Sequence, residues 1–481
     1  MKIHSCRATP VFKLLLLVAL SLTLIATTKA ATASEPSARC DPHQRKFVSE
    51  AVDREVIRVT GLMGDPKLAR IFEACYPNTL DTTVDFDSNN GKPDTFIITG
   101  DIKAMWLRDS SAQVQAYLSL CKEDPHLAEM VAGLIHRQAA CILTDPYANA
   151  FIKDLTVKSP RHQHDNTEMR PGVYERKWEL DSLCYCIRLA YQDWKVTGDS
   201  TTFDTSWWKA MHLAVATMRE QQRTDGPGPY HFIRGKKKPG DDGYGAPMKP
   251  TGMICSMFRN SDDQTTYLFN IPENLFAVTS LRQLAEMSEA MMPSDSLGRE
   301  GRALADEAEK GIREYGTVTD SHGQKKYAYE CDGLGNTLLM EDPGIPGLVS
   351  ISYLDPTVIN DPLVLASRRW ALSPNDPFYS HGMFAEGTWS PHVGKGHIWP
   401  MGIIMRAMTS NDDAEITLCL AMLKTSSAGT GFMHESFDQD NPSKYTRHWF
   451  AWVNNLYGEL ILKLLRERPA LLAKPVPSPS P

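Results

Sequence analysis

PENLFAVTSLRQLAEMSEAMM (272–292) and GREGRALADEAEKGIREYG (298–316) are the two stretches whose reading decides the fold. Both carry apolar residues at helical spacing, and Pro272 with Glu273 fits a first helical turn. Two consecutive helices with a short connection each need to bury one apolar face, so they pack as an antiparallel hairpin. Outward from this pair the same periodicity recurs. It covers 44–60, 66–76, 109–121, 125–141, 176–196 and 204–222 on one side, and 356–370, 397–410, 413–426 and 447–467 on the other. Twelve helices in six hairpins can close into an all-α (α/α)6 toroid, although helix counting alone also admits an irregular helical domain. A TIM barrel would want eight β-branched runs alternating with helices. The best such run is Thr95–Thr99, which leads directly into a polar motif.

Between the helices, long non-periodic stretches at 77–106, 142–174, 223–271, 317–355 and 374–396 are rich in Asp, Glu, His, Asn, Arg and Trp. Loops on a rigid scaffold are where binding groups usually sit. MWLRDSS (105–111) places Trp106, Arg108 and Asp109 just before a helix. Trp106 suits a sugar face and the other two suit hydroxyls, or Asp109 simply caps the helix with Arg108 as its ion-pair partner. HDNTEMRPG (164–172) offers His164 for hydroxyl recognition, and a metal at that spacing is a weak reading. Glu179 and Asp181 follow two apart on a helix, so at most one is expected to point into a cavity. RNSDD (259–263) holds adjacent acids, which are more often a cap than a catalytic feature. If buried, mutual repulsion and desolvation would raise one of them towards the pKa a general acid needs. YECDG (329–333) and AEGTW (385–389) set acids beside glycine and aromatics, and either could be a tight turn. In GFMHESF (431–437) Glu435 is a lone acid, either paired or positioned to activate water.

The chain of 481 residues is 42% hydrophobic and 23% charged, with a net charge of −7. An acidic chain lacks the concentrated positive surface that nucleic-acid phosphates require. Its basic cluster, 234–238, reads as a solvated loop. Residues 1–33 are expected to be a secretory signal peptide: a basic start, the apolar run Leu14–Ala26, then small residues. The run is short of the ~20 residues of a membrane span, so stable membrane insertion is not expected and a secreted or secretory-pathway location is. Its loss would remove four basic residues and no acid, leaving the chain more acidic. Nine cysteines follow residue 33, and an odd number leaves at least one unpaired. No CxxC or HExxH argues for zinc, and no Gly-x-Ser-x-Gly elbow or glycine-rich phosphate loop is present. Acids, Trp, Arg and Asn without metal spacing suit a neutral polyol such as a sugar. The domain is expected over 40–468, with an extended Pro/Ser-rich tail at 469–481.

MWLRDSSAQVQAY, HDNTEMRPG, GMICSMFRNSDDQTTYLFNIPENLF, YECDG, MFAEGTWSPH and GFMHESFDQDNPSKYTRHWFAW, in this order, closely resemble glycoside hydrolase family 125, the exo-acting α-1,6-mannosidases. The likeness runs from about 40 to 465. It implies an (α/α)6 fold and inverting hydrolysis of terminal α-1,6-linked mannose from mannan or N-glycan-type oligosaccharides, without a cofactor or essential metal. By the same resemblance the general acid falls at Asp263, with Asp262 its near rival, and the general base at Glu435. Arg108, Asp109, His164 and Arg259 would contact the sugar, with Trp106 or Trp389 as an apolar wall. Two alternatives stay open: an exo-glycosidase of other sugar specificity on this scaffold, and a catalytically inactive carbohydrate-binding protein. The sugar released, or the absence of any release, separates them.

Overall fold

The structure, a computed structural model, describes residues 37–88, 91–159, 164–235, 242–321 and 323–477. The expected signal peptide and the basic residues 236–238 lie outside them. From Ser37 the chain forms one unit. Twelve helices of six residues or more carry it: α1 (Glu50–Leu62), α2 (Pro66–Cys75), α3 (Leu107–Ala112), α4 (Pro125–Thr144), α5 (Leu180–Thr197), α6 (Thr205–Glu220), α7 (Ile271–Met291), α8 (Leu297–Tyr315), α9 (Pro362–Ala371), α10 (Pro400–Met408), α11 (Asp413–Ser426) and α12 (Ala451–Glu467). Each matches an expected helix, with boundaries moved by a few residues. The 109–121 segment is the exception, because it breaks into α3 and a 3-10 turn, Gln115–Leu120.

Two rings of helices form an α/α toroid, as expected. In the inner ring α3 packs on α5, α5 on α7, and α7 on the short helix Ile351–Leu354, while α10 packs on α12 and α12 back on α3. The outer helices lie against them, with α8 on α7 and α11 on α10 as hairpins. Burial follows position: Leu180–Ala190 of α5 and Ala451–Gly458 of α12 are buried on every face, as helices enclosed by others must be.

Most outer helices start with a side-chain cap and most inner ones do not; the exceptions are inner α7, capped by Asn270, and outer α8, which starts at Ser296 without a cap bond. Ser49, Asp65, Asp124, Asp204, Asp361 and Asp412 cap outer helices, each accepting a backbone N–H in the first turn. Before α3, α5, α10 and α12 stand Trp106, Glu179, Trp399 and Phe450, none of which makes such a bond. A missing cap costs about 0.5–2 kcal/mol.

The long loops are less irregular than their sequence suggests. They fold into antiparallel sheets of two or three short strands, such as Met105–Trp106, Ala150–Phe151 and Val173–Glu175, or His397–Ile398, Ser436–Asp438 and Asn441–Thr446. The tail is a correction. Its first part is docked, not extended: Pro469–Leu472 is helical, Val476 is buried, and Val476 N donates to Asp65 Oδ2 at 3.0 Å. The apolar residues Leu472 and Val476 give it something to bury. All nine cysteines of the described residues are unpaired, and all but Cys40 are buried. No helix among the described residues is long and apolar enough to cross a membrane.

Burial pushes the carboxyls of Asp193, Asp376 and Glu459 up to about 7. In the unfolded chain they titrate near 4. Between about 4 and about 7 the folded protein therefore holds protons that the unfolded chain has released, and stability falls as pH rises through this window. The melting temperature is expected to be higher at pH 5 than at pH 7.5; an increase across that range would contradict these assignments.

Candidate active site

The first residues of three inner helices, α3, α10 and α12, meet loop residues around a cavity of about 50 Å³. Trp106, Trp399 and Phe450, the uncapped starts of α3, α10 and α12, line it together with Trp452. Cap hydrogen bonds are thus given up for an aromatic wall, a surface suited to the apolar face of a sugar ring. Larger cavities of about 660 and 790 Å³ lie elsewhere, but neither carries the motifs of the loops. Chemistry, not volume, picks out the smaller one.

Arg108 and Asp109 also line it. The residues are ion-paired as well as facing the cavity, but Asp109 does not cap the helix, which starts at Trp106 without a side-chain cap bond. Arg108 Nη1 donates to Glu179 Oε2 at 2.8 Å and to Asp181 Oδ2 at 3.3 Å, and its Nε lies 3.5 Å from Asp109 Oδ2. Thr99 Oγ1 donates to Asp109 Oδ1 at 3.0 Å. Glu179 and Asp181 both meet Arg108 and neither lines the cavity, within the expectation that at most one would point into it. Burial pushes Asp181 up to about 6 against the opposing pull of Arg108.

The RNSDD segment forms a tight turn. Arg259 N donates to Asp263 O and Asp262 N to Arg259 O, at 2.8 and 2.9 Å. Asp262 sits at φ +71°, in the left-handed region that non-glycine residues seldom occupy. That backbone turns the Asp262 carboxyl into the cavity, where its side chain is 32% exposed. Asp263 does not line the cavity; its Oδ2 is buried without a hydrogen-bond partner, and burial raises its pKa. The turn is pinned on both sides. Ser261 Oγ donates to Asp342 Oδ2 and Asn260 Nδ2 to Pro346 O, each at 2.6 Å. Arg259 Nε donates to Glu330 Oε1 at 2.6 Å, and Glu330 Oε2 accepts from Thr266 N and Tyr267 N at 2.8 and 3.0 Å. Arg259 is therefore a brace for the turn and not a cavity residue, a correction to its expected sugar contact.

Glu435 enters from the other half of the chain, beside the strand Ser436–Asp438, and lines the same cavity. Arg447 Nε lies 3.0 Å from its Oε1 and also reaches Asp101 Oδ1 at 2.7 Å through Nη1. Asn454 of α12 fixes the loop, accepting from Met433 N at 2.9 Å, and Phe450 N donates back to Met433 O at 3.0 Å. The two expected wall and contact residues that remain are elsewhere. His164 is exposed and outside the cavity. Trp389 packs its ring on Phe378 with centroids 4.8 Å apart and is not part of the lining. Glu386 of the AEGTW motif is paired with Arg406 at 2.7 Å, the structural reading of that acid.

Sequence reasoning passed over Lys177, His392, Trp399, Arg447, Phe450 and Trp452. Lys177 is the most consequential: it is buried, and its Nζ donates to Asp262 Oδ1 at 2.8 Å and meets Glu175 Oε1 at 3.1 Å. The signal was the run ERKWELD (175–181), too densely charged for a segment leading into a buried helix.

An α/α toroid whose cavity sets three carboxyl side chains between aromatic walls is an architecture suited to a glycoside hydrolase. Residues 65–462 match the metal-independent α-mannosidases of family GH125, and the chain belongs to that family. It is 38% identical over 453 residues to the meiotically up-regulated gene 157 protein of Schizosaccharomyces pombe, covering 89% of this chain and 88% of that one. A solved metal-independent α-mannosidase from Streptococcus pneumoniae, in a non-productive complex with α-1,6-mannobiose, is 38% identical with a TM-score of 0.83, over 88% of this chain and 100% of that one. A GH78 rhamnosidase from Bacillus sp. GL1 shares the fold alone, at 12% identity and a TM-score of 0.52, over 84% of this chain and 35% of the other.

Because Glu330 holds Arg259 and two backbone N–H groups, it positions Asp262 without touching the cavity. Replacing Glu330 with Ala is expected to lower kcat about 10²-fold, the size of effect that a misplaced catalytic group produces. Steady-state kinetics on the folded variant would check it.

Proposed function

We propose that this protein is an inverting exo-α-1,6-mannosidase in which Asp262 is the general acid and Glu435 the general base. The observation that carries the reading is that these two carboxyls, from distant parts of the chain, line one aromatic-walled cavity. An inverting enzyme needs a carboxylic acid on the leaving oxygen and a carboxylate activating water on the opposite ring face, roughly 6.5–9.5 Å apart. Asp262 takes the role first expected of Asp263, since the positive-φ turn presents Asp262 and not its neighbour. Glu435 faces the guanidinium of Arg447, a setting for a carboxylate that receives a proton from water. Arg108, Asp109 and Asn260 would hold hydroxyls of the terminal mannose against Trp106 and Trp399. The substrate class follows the S. pneumoniae relative's complex with α-1,6-mannobiose, and mannan or N-glycan-type oligosaccharides present that linkage. The basic and apolar start of the chain supports delivery into the secretory pathway, where such glycans are met.

No step calls for a metal: the cation meeting Asp262 and Glu175 is the chain's own Lys177 ammonium. Dialysis against EDTA is expected to leave activity on α-1,6-mannobiose unchanged. On the same substrate Asp262→Asn and Glu435→Gln are each expected to lose about 10²–10⁴-fold in kcat, with Asp263→Asn losing far less. A larger loss for Asp263→Asn than for Asp262→Asn would reverse the assignment of the acid.

A further inference from the structure

Three carboxylates crowd one side of the catalytic cavity: oxygens of Glu175, Glu179 and Asp262 all lie within 4.8 Å of one another. Two cations serve them. Lys177 Nζ is 2.8 Å from Asp262 Oδ1 and 3.1 Å from Glu175 Oε1, and Arg108 Nη1 is 2.8 Å from Glu179 Oε2. Arg108 is further shared with Asp181 at 3.3 Å and Asp109 at 3.5 Å. Five carboxyls thus divide two positive charges, and all but Asp262 are buried from water. Full ionisation would leave uncompensated negative charge in a dry site, which folded proteins avoid by holding protons there.

We propose that Glu179 is the positioning residue of the acid: Glu179 and Asp262 share a single proton, which rests on Glu179 in the empty site and passes to Asp262 when a sugar fills the cavity. The inference rests on Asp262 being the general acid. Its driving force is exclusion of water. In the empty cavity the half-open Asp262 carboxylate is solvated by water as well as by Lys177. A bound sugar removes that water, and the negative charge is then better placed on Glu179, where it gains an ion pair with Arg108 and the Nδ2–H of Asn149 at 3.1 Å. The electrostatics of the empty site agree. Burial pushes Glu179 well above the ordinary carboxylate range, outweighing Arg108. For Asp262 burial is itself outweighed, by Lys177 and then Arg108, and its pKa is held down at about 2. Such a group holds no proton near neutral pH unless its surroundings change.

The remaining charged neighbours fit the same picture. His392, from the segment before α10, faces Asp262 and Asp263, while Glu435 and Arg447 stand across the cavity. Glu273 of α7 lies behind Glu179, and burial drives it well above the carboxylate range, so it adds no charge there. The protons balance. The O–H bond of Glu179 breaks as that of Asp262 forms, and Asp262 then gives the proton to the glycosidic oxygen, which takes the electrons of the breaking C–O bond. Water loses a proton to Glu435 as its oxygen bonds C1, and solvent restores both carboxyls.

Two substrates test the proposal: α-1,6-mannobiose, whose leaving oxygen needs a proton, and 2,4-dinitrophenyl α-mannoside, whose leaving group does not. Glu179→Gln is expected to lower kcat on the disaccharide by about 10²-fold or more. It should affect the aryl glycoside far less, and move the alkaline limb of kcat/KM for the disaccharide to lower pH. Equal losses on both substrates would mean that Glu179 only holds Arg108 in place, and near-normal activity on both would remove it from the mechanism; either result overturns the proposal. Asp262→Asn is the control. If it also strikes both substrates equally, the assignment of the acid has failed; if it alone is selective, only the shared proton has. Should Glu179→Gln fail to fold, Lys177→Met decides. Relieved of its cation, Asp262 should carry the alkaline limb upward by roughly 1–3 pH units, and a limb that stays or falls is the contrary result.

Discussion

A guanidinium cannot shed its charge, and Arg108 is buried where α3 and α5 begin. Its neutralisation organises everything around it. Glu179 and Asp181 from the start of α5 and Asp109 from its own helix meet it directly, while its Cζ lies 5.5 Å from the centroid of the Trp452 ring of α12. Three inner helices are therefore tied at one point on the axis. Supplying that many acids overshoots the charge they serve. The excess is met by Lys177 and by protons, so the demand that secures the toroid also creates a reserve of acidity beside the catalytic cavity. Removing Arg108 would strand several buried carboxyls, which is far more costly than a pair is worth in isolation.

The second constraint is where the helices start. Inner helix N-termini point at the cavity, and their dipoles favour the negative groups gathered there. The same positions that take Ser or Asp caps on the outer helices are given to Trp106, Trp399 and Phe450 on the inner ones. Stability is spent at the axis on an aromatic surface and retained at the periphery, where no substrate competes for the cap. The Asp262 and Glu435 carboxyls come from loops, and each loop is braced from outside: Glu330, Asp342 and Pro346 hold the Asp262 turn, and Asn454 holds the segment before Glu435.

Helices were legible because burial against a neighbour leaves a periodic trace, and α7 with α8 shows this directly. Cavity residues left a fainter one. Nothing local separates Asp262 from Asp263, because the choice is made by a backbone angle of +71° and by contacts with residues some eighty positions away. Arg259 looked like a sugar contact since it stands beside the acids, and the partner that occupies it, Glu330, comes from a distant strand. Lys177 was invisible for the opposite reason: lysine is ordinarily a surface residue, and only a buried excess of carboxylates explains one here. Trp389 and His164 show that residue type alone does not locate a wall. The tail was misread because its prolines outweighed Leu472 and Val476, the two residues that dock it.

The central claim is that Asp262 and Glu435 act from opposite faces of one sugar. Proton NMR of the first minutes of α-1,6-mannobiose hydrolysis, before mutarotation, reads that arrangement directly. The account predicts that β-mannose is released first, as attack by a water opposite the leaving group requires. Early α-mannose would contradict it, since retention requires one carboxyl to act as a nucleophile through a covalent intermediate.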